Sequence, residues 1–324
     1  MSFSGGKDST VLLHLAREVY SDIPAVFCNT GLEYPEIVKF AGQQSNIEIV
    51  RPEINFADVI DTYGYPVIGK EIAETIHQGR IALEEGKTGK YATSRLKRLR
   101  GELTKPDGTK SQFNCEKWAF MLEAPFEVGS DCCRVMKKKP MHKYEKQTGR
   151  KPIRGIMADE SRLRLQSWLK NGCNAWNAKN QASTPLAFWT ENDILQYLKE
   201  YEIPYASVYG EIVEDEQLPG QMWLDGYCPQ KLTTTGCKRT GCIFCGFGCH
   251  LEKQPNRYQM LENTHPALYD YCIRDTTILN KRTKKPPRCM PDCKNNKEIN
   301  LFVQRERERD WGSGLIPYTQ QSAA

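Results

Sequence analysis

The stretch Ser4-Gly5-Gly6-Lys7-Asp8-Ser9 decides the fold, because it lies where a strand should pass into a helix. Glycines in such a turn let backbone N–H groups approach phosphate oxygens, and the N-terminus of the following helix adds partial positive charge. The stretch therefore predicts an anion-binding turn, to which the Lys7 ammonium and the two serine hydroxyls contribute further hydrogen bonds. Asp8 is expected to cap the helix or to help hold Mg²⁺. The alternative is a Gly-Gly turn that only connects a strand to a helix.

Apolar patterns around this turn predict an α/β fold with a doubly wound parallel sheet. Residues 9–20 carry apolar side chains at helical spacing, and residues 24–28 form an apolar run typical of a buried strand. Further elements are predicted as strands over 47–50 and 151–158 and as a helix over 191–201 with Thr190 as its N-cap. Only three residues precede the turn, so we expect the native start of the first strand to lie upstream of Met1.

Composition suggests three parts and an intracellular protein. We expect a nucleotide-binding domain over 1–210, a small cysteine-rich metal module over 211–273 and a basic tail over 274–324. The tail carries eleven Lys or Arg against six Asp or Glu, which accounts for the whole net charge of +5. No apolar run is long enough for a membrane helix, and 13 cysteines without an export signal favour the reducing cytoplasm. Residues 87–110 are basic and lack an apolar face, which predicts a surface insertion.

Four stretches together resemble the phosphoadenosine phosphosulfate (PAPS) reductase family of the PP-loop superfamily, the adenine nucleotide α-hydrolase-like proteins. The turn at 4–9 resembles the PP-loop, and it does not match the GxxxxGK[ST] loop of ordinary P-loop NTPases. Residues 29–36 (NTGLEYPE) resemble the family's DTG...PE segment, with Asn29 in place of the usual Asp. Residues 132–140 resemble its CC...K...P stretch, and residues 155–164 (GIMADESRLR) resemble its G...ES..R segment. The resemblance extends from Ser4 to about Tyr271.

The resemblance implies an adenine nucleotide ligand, either ATP cleaved between its α and β phosphates or an adenylyl sulfate. The residues expected to bind this ligand are Ser4, Gly5, Gly6, Lys7, Asp8, Ser9, Asn29, Gly31, Glu33 and Arg162. Those expected to act in catalysis are Lys7, Asp8 and Arg164. The guanidinium group offers a planar fork to phosphate or sulfate oxygens. The alternative for Arg162 and Arg164 is a surface ion pair with Asp159 or Glu160.

A run of cysteines, Cys237-x4-Cys242-x2-Cys245-x3-Cys249, predicts a metal centre. Its first three positions have the spacing of one iron-sulfur ligand run, and Cys-x2-Cys is also common in zinc sites. The alternative is a set of buried, unligated thiols. The adenylyl-sulfate reductase branch of the resembling family holds a 4Fe-4S cluster with a CC...CxxC set, so the resemblance favours iron-sulfur over zinc. The candidate ligands are Cys132, Cys133, Cys237, Cys242 and Cys245, which are five residues for four positions.

The expected function is ATP cleavage to AMP and pyrophosphate that activates an acceptor for sulfur transfer. Related family members thiolate tRNA and DNA, so nucleic acid and a sulfur-donor protein are the candidate partners. One alternative is reduction of an adenylyl sulfate. The C-terminal sequence GSGLIPYTQQSAA speaks against the usual route, because it lacks the cysteine-containing element with which true reductases of the family end. A second alternative is a nucleotide-dependent nucleic-acid-binding module that uses the basic residues of 87–110 and of the tail.

Overall fold

The protein is described by a computed structural model over residues 1–87, 89–124, 126–178, 181–215, 231–252 and 255–273. The predicted basic tail from residue 274 lies outside the described residues, as does part of the predicted cysteine-rich module. The chain divides into two compact units. Unit 1 contains Met1–Glu53 and Lys137–Ile243, and unit 2 contains Ile54–Met136 and the chain from Phe244 onward.

Unit 1 is a mixed α/β unit, as predicted. Its strands are β1 (Ser2–Phe3), β2 (Ala25–Cys28), β3 (Ile47–Val50), β5 (Ile212–Glu214) and β6 (Leu232–Thr234), and its helices are α1 (Lys7–Val19), α2 (Pro35–Gly42), α6 (Lys139–Thr148), α7 (Arg162–Asn171) and α8 (Glu191–Glu200). The predicted strand, turn, helix and strand at the start of the chain are confirmed. The predicted strand over 47–50 is also confirmed.

A parallel sheet in the order β1-β2-β3 organises unit 1. The other edge of β1 is also covered, because the Ser2 N–H donates to the Ile153 carbonyl at 2.9 Å. Ile153 in turn forms a parallel bridge with Ser183. The predicted strand over 151–158 is therefore present only as an extended segment with this one bridge. The chain leaves β1 toward β2 and β3 on one side and returns on the other, so the order of the sheet reverses beside β1.

Helix α1 carries the N-terminal part of the predicted apolar face into the core of unit 1, whereas Val19 near its end is exposed. Val11 and Leu12 are buried, and the helix packs against β1 and α8. Helix α8 presents Leu195, which is also buried. The predicted N-cap of α8 is confirmed, because the Asp193 N–H donates to Thr190 Oγ1 at 3.3 Å and the Thr190 N–H donates to the Asp193 carboxylate at 2.7 Å. This cap fixes the start of α8, where Glu191 lies.

Unit 2 is mainly helical within its described residues. Its elements are α3 (Phe56–Tyr63), β4 (Val67–Ile68), α4 (Lys70–Glu84), α5 (Lys90–Arg100), β7 (Gly246–Phe247), α9 (Arg257–Thr264) and α10 (Pro266–Ile273), with β4 and β7 paired in parallel. Helices α4 and α5 approach closely at Gly79, where an added Cβ would lie 2.8 Å from Leu99 Cδ1. Leu99 has no exposed surface. The prediction that residues 87–110 lack an apolar face was therefore wrong for α5, because Ala92 and Leu99 lie two helical turns apart on the same side and are both buried.

None of the helices in the described parts of the chain has both the length and the apolar character required to span a membrane.

Candidate functional site

The glycine-rich turn has the conformation that its sequence predicts. Gly5 has a φ of +72°, which L-residues with side chains rarely adopt, and an added Cβ would lie 2.7 Å from Ile37 Cγ2. Gly6 is the N-cap of α1. The turn is closed by its two serines, because the Ser4 N–H donates to Ser9 Oγ at 3.2 Å and the two hydroxyl oxygens are 3.0 Å apart. The backbone therefore passes from β1 into α1 with the first amides of the helix at the turn.

A cavity of about 320 Å³ in unit 1 opens onto this turn. This volume is within the range of small-molecule sites. From the turn itself, the cavity is lined by Ser4, Gly6, Lys7 and Asp8. The other lining residues are Met157, Asp159, Glu160, Arg164, Glu191, Tyr209, Lys238, Arg239, Thr240 and Gly241. The lining is thus rich in charge, with four basic and four acidic side chains.

The cavity lies where the order of the sheet reverses. The turn at 4–9 follows β1, and Met157 follows the extended segment of Ile153 on the neighbouring side of β1. Ligands of open α/β sheets bind beyond the carboxyl ends of the strands at such a reversal. The position of the cavity in the fold is therefore that of a ligand site.

The Lys7 side chain is held inside the cavity. Only 6% of it is exposed, and its ammonium forms an ion pair with Glu191 at the start of α8. The same ammonium donates to the Lys238 carbonyl at 3.1 Å. The Lys7 backbone N–H donates to the Tyr209 hydroxyl over a long 3.4 Å. Glu191 is half exposed, so an anionic ligand that enters the cavity would compete with Glu191 for the lysine.

Asp8 places a buried carboxyl group in the site. Its Oδ1 is buried and has no hydrogen-bond partner within the described residues. Burial raises the pKa of the carboxyl to about 6, and the negative charges of Glu160 and Glu191 act in the same direction, while Lys7 and Arg239 partly oppose them. A carboxylate with an unused oxygen suits a Mg²⁺ ion, which proteins commonly hold by one or two carboxylates together with phosphate oxygens and water.

Arg164 lines the cavity and Arg162 does not. Arg164 forms an ion pair with Glu160, one of the two acidic partners expected for it in the alternative interpretation. About 41% of its side chain remains exposed, so the pair leaves part of the guanidinium accessible. Arg162 is exposed at the start of α7 and is absent from the cavity lining.

Asn29, Gly31 and Glu33 form a separate turn after β2. The Gly31 N–H donates to Asn29 Oδ1 at 3.0 Å, and the buried Glu33 carboxylate accepts hydrogen bonds from Thr30 N at 2.9 Å and Thr30 Oγ1 at 2.8 Å. Glu33 also forms an ion pair with Lys137 at 3.3 Å. Burial lowers the pKa of the Lys137 ammonium, but Cys242 and Glu33 together raise it above its usual value. None of these residues lines the cavity, and their role in ligand binding stays a prediction.

None of the cysteines that the structure describes is in a disulfide bond. Cys237 and Cys242 belong to unit 1, and Cys132, Cys133 and Cys245 belong to unit 2. Burial raises the pKa values of Cys237 and Cys245, which disfavours the thiolate form that metals bind. No group of three or more His, Cys, Asp or Glu side chains in the described ranges is arranged to hold a metal ion. The five candidate ligands are thus divided between the two units, and the predicted ligand set stays a prediction.

Sequence reasoning missed much of the far wall of the cavity. Glu191 was recognised only as part of a capped helix, and Tyr209 gives no sequence signal at all. Lys238 and Arg239 were visible as a basic pair inside the cysteine run. From its sequence, this segment is assigned to a metal module, although two adjacent cations can also bind an anion through charge-assisted hydrogen bonds.

The fold and the site define an α/β protein with a glycine-rich turn at the reversal point of a parallel sheet. The sequence matches the family described as "Phosphoadenosine phosphosulfate reductase domain" over residues 1–69 and 84–246. The chain therefore belongs to the phosphoadenosine phosphosulfate reductase domain family, within the PP-loop superfamily. The unmatched residues 70–83 coincide with helix α4.

Two curated proteins illustrate this relationship. The chain is 25% identical over 231 residues to "Sulfate adenylyltransferase subunit 2" of Streptomyces lavendulae, which covers 68% of this chain and 59% of the relative. It is also 38% identical over 69 residues to an uncharacterized protein of Methanocaldococcus jannaschii, which covers 20% of this chain and 17% of the relative. The chain thus spans less than two thirds of the length of both relatives.

Proposed function

We propose that the chain binds ATP in the 320 Å³ cavity and cleaves it to AMP and pyrophosphate, so that an acceptor is activated for sulfur transfer. The observation that carries this proposal is the cavity lining, which combines the glycine-rich turn with four cations and the unpartnered oxygen of Asp8. A polyphosphate needs amide and cationic donors on several sides, together with a carboxylate for its metal ion. Membership of the family and similarity to a protein named as an adenylyltransferase subunit support adenylyl chemistry.

In the proposed reaction the acceptor attacks the α-phosphorus of ATP. The bond between the α-phosphorus and the bridging oxygen breaks, and its electron pair leaves with pyrophosphate. Lys7, the amides of the turn and Arg164 neutralise the charge that grows on this leaving group. Asp8 would hold Mg²⁺, and the bound ion would supply further charge neutralisation at the phosphate oxygens. A sulfur nucleophile then displaces AMP from the adenylated acceptor, and AMP leaves with the oxygen that joined the two.

An iron-sulfur cluster, a sulfur-donor protein and a nucleic-acid acceptor remain predictions of the family resemblance within this proposal. No step above passes through a cluster. A cytoplasmic location belongs to the same proposal, and the 13 cysteines of the sequence are in keeping with a reducing compartment, where disulfides do not persist. The predicted finer architecture, a doubly wound PP-loop sheet with a cysteine-rich module over 211–273, is proposed here on the same resemblance.

The proposal is tested by product analysis. The protein is incubated with ATP and Mg²⁺ under reducing conditions, and the nucleotides and phosphates are separated by anion-exchange chromatography. AMP with pyrophosphate, or exchange of labelled pyrophosphate into ATP, supports the proposal. ADP with orthophosphate contradicts it, since the bond that breaks is then the one between the β and γ phosphates.

A second candidate is reduction of an adenylyl sulfate, which the name of the matched family favours. It is tested by adding adenylyl sulfate and a dithiol to the same protein and measuring sulfite. Sulfite release without pyrophosphate formation from ATP replaces the first proposal with the second.

A further inference from the structure

A basic loop, Lys238-Arg239-Thr240-Gly241, crosses the glycine-rich turn within unit 1. Its main chain is bonded to the turn, because the Lys7 ammonium donates to the Lys238 carbonyl at 3.1 Å. Tyr209 bridges the two segments, since its hydroxyl lies 2.6 Å from Thr240 Oγ1 and accepts the Lys7 backbone N–H at 3.4 Å. An added Cβ on Gly6 would lie 3.1 Å from the Tyr209 hydroxyl and 3.7 Å from Thr240 Oγ1. The basic loop is thus the facing wall of the same cavity.

The cations of this wall differ from those of the other wall. Lys7 and Arg164 are each paired with a glutamate. In the part of the chain that the structure describes, no ion pair within 4 Å involves Lys238 or Arg239. Arg239 is close enough to Asp8 to act on that carboxyl electrostatically. Two adjacent positive charges therefore line a shared cavity without an ion-pair partner among the described residues.

Such an arrangement calls for an anion supplied by the ligand. The turn and the N-terminus of α1 suit one phosphate group, and the basic loop lies across the cavity from them. We infer that the basic loop binds the outer anionic group of an adenine nucleotide, namely a group joined to the α-phosphate through an anhydride bond. The terminal phosphates of ATP and the sulfate of an adenylyl sulfate share this chemistry, whereas AMP lacks it. This inference rests on the nucleotide site proposed above.

Under this inference, the cysteine run also contains a ligand-binding segment. Cys237 and Cys242 directly flank the basic loop, so a ligand that fixes Lys238 and Arg239 also fixes the backbone between these two cysteines. Tyr209 and Thr240 are positioning residues, because they hold the loop against the turn through their shared hydrogen bond.

The test compares three ligands on two variants of the whole protein. In the first variant Lys238→Ala is combined with Arg239→Ala, and in the matched control Lys97→Ala is combined with Arg100→Ala. The control removes the same charge from the exposed side of α5. Affinities for ATP, adenylyl sulfate and AMP are measured by titration calorimetry. We expect the first variant to bind ATP and adenylyl sulfate about tenfold more weakly or worse, as for lost charge-assisted hydrogen bonds.

AMP binding serves as the internal check on folding, and we expect it to change by less than about twofold, since AMP has no group for the lost cations to bind. A second readout is amide hydrogen exchange, which ATP should slow over residues 237–243 more than AMP does. An equal loss for all three ligands, or unchanged binding of ATP and adenylyl sulfate, overturns the inference. If only one of these two ligands depends on the basic loop, that ligand is identified as the one whose outer group the loop holds.

This result is distinct from the outcome for the proposed reaction. If the wild-type protein forms no AMP from ATP but the variants show this pattern of affinities, the proposed function is contradicted and the basic loop remains an anion site. A wild-type protein that binds none of the three ligands overturns both.

Discussion

Lys7 forms an ion pair with Glu191, and this pair joins the glycine-rich turn to the capped start of α8. The lysine is almost fully buried, while about half of the glutamate side chain is exposed. The Lys7 ammonium is therefore held by a residue that is 184 positions away in the sequence. An incoming phosphate must displace Glu191 or share the ammonium with it.

Removing the charge of Glu191 should therefore strengthen nucleotide binding. We expect Glu191→Gln to bind ATP about two- to tenfold more tightly, because the phosphate no longer competes with a carboxylate for Lys7. Calorimetric titration measures the change, with Glu200→Gln on the exposed end of α8 as the matched control. Weaker binding by Glu191→Gln would show instead that the glutamate orients the lysine for the ligand.

Asp8 should lower the free energy of unfolding as pH rises and should favour Mg²⁺-dependent nucleotide binding as pH rises. Its folded-state pKa of about 6 is above the usual 3.8. The folded protein thus binds more protons than the unfolded chain between these values, and the carboxyl destabilises the fold increasingly as pH rises through that window. Above pH 6 the cost is on the order of 3 kcal/mol, and below about pH 4 it vanishes.

The variant Asp8→Asn removes this cost. Without nucleotide, it should have a higher free energy of unfolding than the wild type at pH 8 and the same value near pH 4, measured by urea denaturation at both pH values. Mg²⁺-dependent nucleotide binding should be lost in the same variant, and in the wild type it should decline as pH falls below 6. If the free energy of unfolding of Asp8→Asn differed from that of the wild type by the same amount at pH 8 and at pH 4, this would contradict a buried, destabilising Asp8 carboxylate.

Helix α5 should contribute to the core of unit 2. Leu99→Ala removes a side chain with no exposed surface, so we expect a loss of about 2–5 kcal/mol in the free energy of unfolding. Leu83→Ala on α4 is the control, since Leu83 is 49% exposed and its loss should cost far less. Equal effects of the two substitutions would mean that α5 does not pack on α4.

The predicted iron-sulfur cluster has a direct analytical test. Anaerobically purified protein should contain iron and acid-labile sulfide in about equal amounts, as in a 4Fe-4S cluster. The double variant Cys242→Ser with Cys245→Ser should lose both, because it removes at least one ligand whichever four of the five candidates bind the cluster. Cys173→Ser, which alters a thiol outside the cysteine run, should retain them. Zinc without iron would replace the cluster by a zinc site, and the absence of both metals would leave the cysteines as buried thiols.

The sequence predicts those parts of the structure that depend on local patterns. Glycine conformations, the apolar face of α1 and the Thr190 cap are each encoded within a few neighbouring residues, and all three are confirmed. The facing wall of the cavity is not local, since Tyr209 and Thr240 reach the turn only through tertiary packing. The prediction for helix α5 was wrong for a related reason, because Leu96 and Leu99 occupy the space that Gly79 leaves on α4, which the sequence of α5 alone does not show.

The turn at 4–9 is proposed to bind the phosphates of an adenine nucleotide. ATP binding to Lys7→Met tests this proposal most directly. Methionine fills nearly the same space without the charge, and Lys39→Met on the exposed side of α2 is its matched control. The account predicts one ATP site per chain, weakened at least about tenfold by Lys7→Met and unchanged by Lys39→Met. Equal ATP affinity in both variants and the wild type would contradict it.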